Sequence, residues 1–325
     1  MLDLVLLFVP FFALVLMGWT AARARWLPLE GIGGMNTFVL FFGLSAMVFR
    51  LAAGGSLRQG GLGGLLLAYG LGGLTIAGLA LVWCSRGRLS RRDSGLAALA
   101  TAFPNTGFLG LPLLTGLLGA SAAGPVAATL LIDVLCLSSV CLAWAHTGGR
   151  EAQSQNAWPL FRGALRNPLL WSLGMGLLAS WAGWTLPHAL DEVVRLLSLS
   201  AAPVALFTLG AMLARAQMVA SSAEPVPAPG QRVTVWVPWL LKLAVHPALV
   251  WGIGQDLRLA GMTIAESGLM ALTMAAALPS ASNVSMLAER EGADTALVAR
   301  IILWTTVGAL VTLTWWAHSL GVRAV

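Results

Sequence analysis

Apolar segments of about 20 residues, the length a helix needs to cross the hydrocarbon of a bilayer, recur along the whole chain. Lipid offers no water to hydrogen-bond with exposed backbone, so such segments must be helical or closed into a barrel. With 58% hydrophobic and 10% charged residues, the chain has more apolar surface than a soluble protein of 325 residues can bury. The sequence therefore predicts an all-α integral membrane protein.

We place ten transmembrane spans in a single membrane domain, residues 1–325. The first span, 2–22, is long enough to cross a bilayer rather than act as a cleaved signal peptide. The others are predicted at 34–54, 61–84, 94–118, 122–146, 166–185, 190–214, 233–255, 267–288 and 296–318. The two most polar segments, 147–165 and 217–232, are predicted to be loops.

The basic residues are divided unevenly between the two sides of the predicted bundle. Twelve arginines fall on one side, including four in the run RGRLSRRD at 86–93, and five on the other, while Lys242 and Arg300 fall within spans. The positive-inside rule makes the richer side cytoplasmic and places both termini outside the cytoplasm. Because loops facing anionic headgroups explain the net charge of +6, we expect no nucleic-acid partner.

The chain lacks the common sequence signatures of enzymes and ATP-driven pumps. Neither GxxxxGK[ST] nor HExxH occurs, and no paired aspartates lie at mid-span. Cys84, Cys136 and Cys141 are odd in number and lie in or beside apolar segments, which argues against structural disulfides and metal clusters. We therefore expect no enzymatic activity, no cofactor and no metal.

Two proline-interrupted segments occupy matching places in the fourth and ninth spans. SGLAALATAFPN begins at Ser94 and SGLMALTMAAALPS begins at Ser267, so that Pro104 and Pro279 both fall in mid-span. A proline inside a helix removes a backbone hydrogen bond and clashes with the preceding turn. Matched interruptions of this kind are typical of a transporter's binding site, although each proline alone could be an ordinary kink.

The matching segments divide the chain into two five-span halves, about 1–146 and about 166–318. Five is an odd number, so the second half enters the membrane with the opposite orientation. The sequence therefore predicts an inverted repeat with broken, crossing helices in spans 4 and 9.

Broken helices that cross near mid-membrane would present two half-helix N-termini to one cavity. Each N-terminus carries about half a positive charge and unpaired N–H groups, so the cavity favours an anion. The amides of Asn105 and Asn283 can orient a carboxylate without adding charge. Asn36 either faces the substrate or caps a helix. The candidate substrate-binding residues are Asn36, Pro104, Asn105, Thr106, Gly107, Lys242, Pro279, Ser280, Ser282 and Asn283.

Two ionisable residues lie near the middle of predicted spans, where an unpaired charge costs several kcal/mol. Lys242, the only lysine, is a candidate for anion neutralisation or proton coupling; alternatively its stem reaches headgroups near Trp236 and Trp239. Asp133 is a candidate proton carrier, a salt-bridge partner of Lys242, or part of a fixed structural pair. His246, one turn after Lys242, is a candidate for ion coupling or a packed histidine.

The stretches FPNTGFLGLP, ALPSASN and LLKLAVHP, together with the ten-span layout, resemble the auxin efflux carrier family, and the length is similar to that of its bacterial malonate-transporter-like members. The resemblance covers essentially the whole chain, and it implies that the chain lies in the plasma (bacterial inner) membrane. It implies that the crossed helices form the substrate site and that a transport bundle, spans 3–5 and 8–10, moves as an elevator against a scaffold of spans 1, 2, 6 and 7. The position of Asn283, four residues after Pro279, departs from the pattern.

The sequence thus predicts a secondary active transporter of a small organic anion, such as malonate or an auxin-like acid. We expect symport with H+ through Asp133, with Na+ as the other candidate coupling ion. The alternatives are a sodium-coupled bile-acid-type carrier and a membrane sensor that does not transport. Membrane lipids are expected partners, and the spacing of Gly60 and Gly64 serves either packing within one subunit or a homodimer interface.

Overall fold

The computed structural model describes residues 2–55, 62–147, 168–222 and 234–322. Within these ranges the chain is helical and has no strand, which confirms the predicted all-α class. Gly60 and most of the two predicted loops lie outside the described residues, as do several of the counted arginines: Arg58, Arg150, Arg162, Arg166, Arg232 and Arg323. Residues 217–222 are helical, so the second loop begins later than predicted.

Twelve helices and one short 3-10 turn, Ala120–Ala122, make up the described part of the chain. The helices are α1 (Leu2–Arg23), α2 (Gly31–Ala53), α3 (Leu62–Arg86), α4 (Arg91–Ala102), α5 (Thr106–Leu118), α6 (Ala123–His146), α7 (Pro168–Ala182), α8 (His188–Ser222), α9 (Trp236–Leu259), α10 (Glu266–Ala276), α11 (Asn283–Glu291) and α12 (Thr295–Ser319). Eight predicted spans each overlap one helix, and the fourth and ninth each overlap two.

Six of these helices are long and apolar enough to cross a membrane: α2, α3, α6, α8, α9 and α12. Part of α1 (Phe8–Arg23), α5 and α7 are apolar but shorter. Several membrane-length helices in one chain make this a multi-pass membrane protein. The count of ten crossings and their inverted symmetry stay predictions.

A glycine contact brings α1 and α8 together at backbone distance. A Cβ atom at Gly18 would collide with the backbone of Phe207, and one at Gly210 would collide with the backbone of Val15 and Trp19. Small residues at such a crossing allow close packing, which drives helix association in lipid, where the hydrophobic effect is absent. Gly18 of α1 and Gly210 of α8 therefore allow the backbones of the two helices to approach each other.

The helices pack as two groups. In the first, α8 packs against α1 and α2, α7 packs against α2, and Gly176 of α7 abuts the carbonyl of Phe49 in α2. In the second, α3 to α6 pack with α9 to α12; Gly95 of α4 abuts the carbonyl of Cys141 in α6. The groups meet chiefly where α8 contacts α12 and α5.

Four helices contain a π-helical turn, a wide turn that is rare and frequent at functional sites. The turns are Val39–Gly43 in α2, Thr106–Gly110 in α5, Ile132–Leu137 in α6 and Leu241–Val245 in α9. In α6, the hydroxyl of Ser138 donates to the carbonyl of Asp133 at 2.9 Å. Because the last three turns contain Thr106, Asp133 and Lys242, the irregular backbone coincides with predicted site residues.

Candidate functional site

Both helix interruptions occur at the predicted prolines and lie against each other. Residues 103–105 separate α4 from α5, and residues 277–282 separate α10 from α11. Pro104 and Ser280 lie opposite each other as an antiparallel bridge. We call these two segments the crossing. Since neither proline lies in a continuous helix, the interpretation of Pro104 and Pro279 as ordinary kinks is wrong.

Two backbone hydrogen bonds hold the crossing together. The N–H of Asn105 donates to the carbonyl of Pro279 at 2.8 Å, and the N–H of Ala281 donates to the carbonyl of Phe103 at 3.0 Å. Buried backbone groups need partners, and lipid supplies none. Each broken helix therefore satisfies groups that the other break sets free.

Asn105 immediately precedes α5, and its side-chain amide nitrogen has no hydrogen-bond partner among the described residues. It is 2% exposed, occupies the N-cap position and makes no side-chain cap hydrogen bond. Its Nδ2 is buried without a partner. Capping would use the side-chain oxygen as an acceptor and would leave Nδ2 free in any case, so this buried amide N–H is a donor available to a bound molecule.

The residues after Asn105 face both helix groups. The hydroxyl of Thr106 is buried and donates to Oδ2 of Asp133 at 3.4 Å. Gly107 is half-buried and faces the side chains of Leu44 in α2 and Leu169 in α7. The start of α5 thus lies at the junction of the two groups.

The second break is anchored to α12 and touches α8. The N–H of Ser280 donates to Oγ1 of Thr305 at 3.2 Å, and the Thr305 hydroxyl lies 3.0 Å from Oγ of Ser280. The hydroxyl of Ser282 lies 3.9 Å from the sulfur of Met212. Asn283, in contrast, is exposed at the start of α11, so the structure does not enclose it with Asn105.

Lys242 lies on the opposite side of the crossing, at the C-terminal ends of α4 and α10. Its side chain is fully buried, with Nζ 3.4 Å from the carbonyl oxygen of Ala102, 3.2 Å from that of Ala276 and 3.2 Å from Nδ1 of His246. The interpretation that Lys242 reaches the headgroups is therefore wrong. Its polar contacts are with the protein, away from the N-terminal ends expected to attract an anion.

Asp133 is also fully buried, but it does not pair with Lys242. Its Oδ1 accepts from the hydroxyl of Tyr69 at 2.8 Å, and its Oδ2 accepts from Thr106. In the described ranges no salt bridge joins Asp133 to Lys242, which acts on it only through longer-range electrostatics. The salt-bridge interpretation is wrong, and the carboxyl group is held by hydroxyl donors instead.

Tyr69 is a site residue that the sequence analysis missed. It is the only tyrosine in the chain, it is fully buried in α3, and its ring centroid is 5.9 Å from that of His246. Nε2 of His246 is buried without a partner. A lone tyrosine in the apolar stretch LLLAYGLGG was the available signal, because its hydroxyl needs a partner when buried.

Asn36 lies inside α2 and not at its start. The helix begins at Gly31, with Glu30 in the N-cap position, so the helix-cap interpretation of Asn36 is wrong. The residue is half-buried, and its Oδ1 is buried without a partner. No hydrogen bond within the described ranges connects Asn36 to the crossing.

A narrow cleft with an enclosed space of about 30 Å³ lies beside the crossing, between α8, α11 and α12. It is lined by Met212, Arg215, Ala216, Ser285, Met286, Glu289 and Thr295. Met212 connects it to Ser282, and Nη2 of Arg215 lies 3.6 Å from Oε2 of Glu289 across the two helix groups. That space is about the size of one water molecule and far below the roughly 300–1,000 Å³ of small-molecule pockets, so the cleft must widen before it can admit a substrate. Among the described residues, no cluster of His, Cys, Asp or Glu could hold a metal ion.

Comparison with known proteins agrees with this architecture. A family model described as "Membrane transport protein" matches residues 4–317. The chain is 27% identical over 324 residues to a Rhizobium meliloti protein named "Putative malonate transporter", covering 97% of this chain and 95% of the relative. It is 25% identical over 311 residues to a Methanothermobacter thermautotrophicus protein named "Uncharacterized transporter", covering 94% of each. The chain therefore belongs to the membrane transport protein family, the family of the auxin efflux carriers.

Proposed function

We propose that this chain is a secondary active transporter of a small organic anion, which binds at the crossing. The observation that carries the proposal is the buried amide of Asn105, which has no protein partner and lies where α5 begins. A buried donor without a partner costs about 1–3 kcal/mol, so a ligand that accepts its hydrogen bond gains that energy back.

The charge distribution around the crossing supports an anionic substrate. The N-termini of α5 and α11 both begin at the crossing, and each helix N-terminus carries about half a positive charge. The hydroxyls of Ser280 and Ser282 lie in the same segment and add donors without charge. We infer that the first carboxylate of the substrate binds Asn105 and the first turn of α5.

The substrate class that we favour is a dicarboxylate such as malonate. The name of the Rhizobium meliloti relative suggests it, and two helix N-termini at one crossing offer one positive end to each carboxylate. An auxin-like monocarboxylate would use only one of the two ends. Competition between mono- and dicarboxylates of equal length separates these cases.

The packing supports an elevator mechanism. We propose that α1, α2, α7 and α8 form the scaffold and that α3–α6 and α9–α12 form the transport bundle, so that each of the two predicted five-span repeats supplies part of both. The contact between Ser282 and Met212 lies between these groups, beside the cleft. A substrate at the crossing would therefore face the scaffold and reach solvent through the cleft as the bundle slides.

We further propose that transport is coupled to H+ through Asp133, in a plasma membrane with both chain termini outside the cytoplasm. Asp133 accepts a hydrogen bond from Thr106, the first residue of α5. Its protonation state therefore acts directly on the residue next to Asn105. The topology is tested by placing a single cysteine near residue 2 or at position 321 and measuring from which side of the membrane each is labelled. Labelling only from the cytoplasmic side would refute it.

The function is tested by a thermal-shift screen of the purified protein with organic acids, followed by uptake into proteoliposomes. A ligand that binds only the folded state raises its apparent melting temperature, and a tenfold increase in ligand above its dissociation constant adds about 1.4 kcal/mol. We expect short carboxylic acids to raise the melting temperature and to be taken up. Stabilisation by cations or sterols and by no carboxylate would overturn the proposal.

A further inference from the structure

The ammonium group of Lys242 is enclosed by acceptors from three segments. The carbonyl oxygens of Ala102 and Ala276 and Nδ1 of His246 all lie within 3.4 Å of Nζ. A lysine ammonium has three N–H donors and no acceptor, so these contacts use its full hydrogen-bonding capacity. Because the Lys242 side chain is fully buried, protein atoms alone supply the hydrogen-bond acceptors of its ammonium group.

Two of the three acceptors are the ends of broken helices. Ala102 is the last residue of α4, and Ala276 is the last residue of α10. The last carbonyls of a helix have no intrahelical partner, and each helix C-terminus carries about half a negative charge. Two ends together bring roughly one negative charge, which a single ammonium neutralises.

Among the described residues, no acidic side chain lies within salt-bridge distance of Nζ. Asp133, the buried carboxylate nearest in function, is held by Tyr69 and Thr106 and forms no salt bridge with Lys242. Within the described ranges, the titratable side chain that contacts Nζ is His246, on the same helix. The negative partial charges in direct contact with Lys242 are therefore the backbone carbonyls at the crossing, while Asp133 acts on it from a longer distance.

We propose that Lys242 is a built-in monovalent cation: its ammonium fills a site of two helix-end carbonyl oxygens and one imidazole nitrogen that a free cation would otherwise fill, so anion binding by this chain needs no Na+. Carbonyl oxygens are the ligands that hard cations prefer. The site stands on the contacts of Lys242 alone, and only the statement about anion binding rests on the proposed function. Lys242 is then a positioning residue and not a substrate ligand.

The same charge serves the anion on the other side of the crossing. Ala102 and Asn105 are three residues apart, so at most about 11 Å of chain separates the negative end of α4 from the start of α5. Helix-end carbonyls without a cation would repel a carboxylate bound there. Lys242 cancels them and leaves the N-terminal ends of α5 and α11 as the charges that the anion meets.

The test compares melting temperatures of wild type, Lys242→Ala and Lys242→Met in NaCl, methylammonium chloride and choline chloride at equal ionic strength, without organic acid. Lys242→Ala opens the site, so we expect methylammonium, or Na+, to stabilise it by about 3 °C over choline at about ten times its dissociation constant. Lys242→Met fills the site with an apolar chain of similar length and should show no such difference. Wild type should show none either.

Equal melting temperatures of Lys242→Ala in all three salts would overturn the proposal, and so would a Na+-specific stabilisation of wild type. If Lys242→Ala cannot be purified in any of the salts, the wild-type comparison decides, together with substrate uptake in which choline replaces Na+. Because the thermal measurements contain no organic acid, a failure to find an anionic substrate would refute the proposed function and leave this result standing.

Discussion

Replacing Asn105 with alanine should separate ligand binding from stability. The backbone hydrogen bond from Asn105 to Pro279 survives the change, because it uses the main chain. The lost Nδ2 has no partner in the folded protein. Removing an unsatisfied buried donor relieves a cost of about 1–3 kcal/mol, which offsets the small void left by the side chain. We therefore expect the free energy of unfolding to stay within about 1 kcal/mol of wild type.

Ligand binding should respond quite differently. A hydrogen bond to a charged group contributes about 1.5–3 kcal/mol, and each 1.4 kcal/mol changes a dissociation constant about tenfold. Asn105→Ala should therefore weaken anion binding by about 10- to 150-fold. The assay is a thermal-shift titration with the organic acid found in the screen, followed by uptake into proteoliposomes at several substrate concentrations.

Ser94→Ala provides a matched control. The Ser94 hydroxyl is also buried without a partner, but it lies eight residues before the end of α4, roughly 12 Å along the helix. Its removal should leave both stability and affinity unchanged. Wild-type affinity in Asn105→Ala, or an equal loss in the two variants, would show that the Asn105 amide does not bind the anion.

Three further perturbations test other parts of the molecule. Asp133→Asn keeps an acceptor for the hydroxyls of Tyr69 and Thr106, but its amide cannot carry a proton. Uptake should therefore lose its response to an imposed pH gradient. A retained response would show that Asp133 does not couple transport to protons. Gly210→Ala forces a Cβ atom into the α1 backbone, so it should lower the free energy of unfolding by about 1–3 kcal/mol or more and reduce the melting temperature. Gly174 faces open space, so the control Gly174→Ala should leave the melting temperature unchanged. Glu289→Gln should free Arg215 and lower the KM for an anion about two- to fivefold, and Arg215→Gln should raise that KM. Both side chains are partly exposed, so the free energy of unfolding should change by less than about 1 kcal/mol. KM values insensitive to either change would exclude the cleft as the anion's route.

The positions of the helix breaks could be predicted because proline acts locally. Pro104 and Pro279 each remove a backbone donor whatever surrounds them, so the sequence alone located both interruptions to within a few residues. Apolar length likewise located the helices, since it depends on bilayer thickness and not on neighbouring helices. These features are properties of short segments.

The partners of the buried polar groups could not be predicted in the same way. The contacts of Lys242 depend on where α4 and α10 end in space, and the π turn at Leu241–Val245 alters the direction of its side chain. Asp133 found its donor in Tyr69 on another helix rather than in the lysine that charge alone suggested. Sequence gives the cost of burying these groups, but only packing decides which neighbour meets that cost.

The exposure of Asn283 shows the same limit. The repeat made it the counterpart of Asn105, yet the second break is longer, at residues 277–282, and α11 begins on an exposed side chain. Three additional non-helical residues change the direction of every side chain that follows. Sequence similarity between the halves therefore predicted the shared backbone geometry better than the orientation of individual amides.

The bridge at the crossing also has a consequence for biosynthesis. Phe103 and Asn105 find their backbone partners roughly 180 residues later, at Ala281 and Pro279. At translation rates of about 5–20 residues per second, the first break waits roughly 10–35 s for the second to be made. During that interval its free amide and carbonyl groups must be met by water or by the insertion machinery. A half-made chain therefore carries an unsatisfied break in its backbone until residues 277–282 arrive to pair with it.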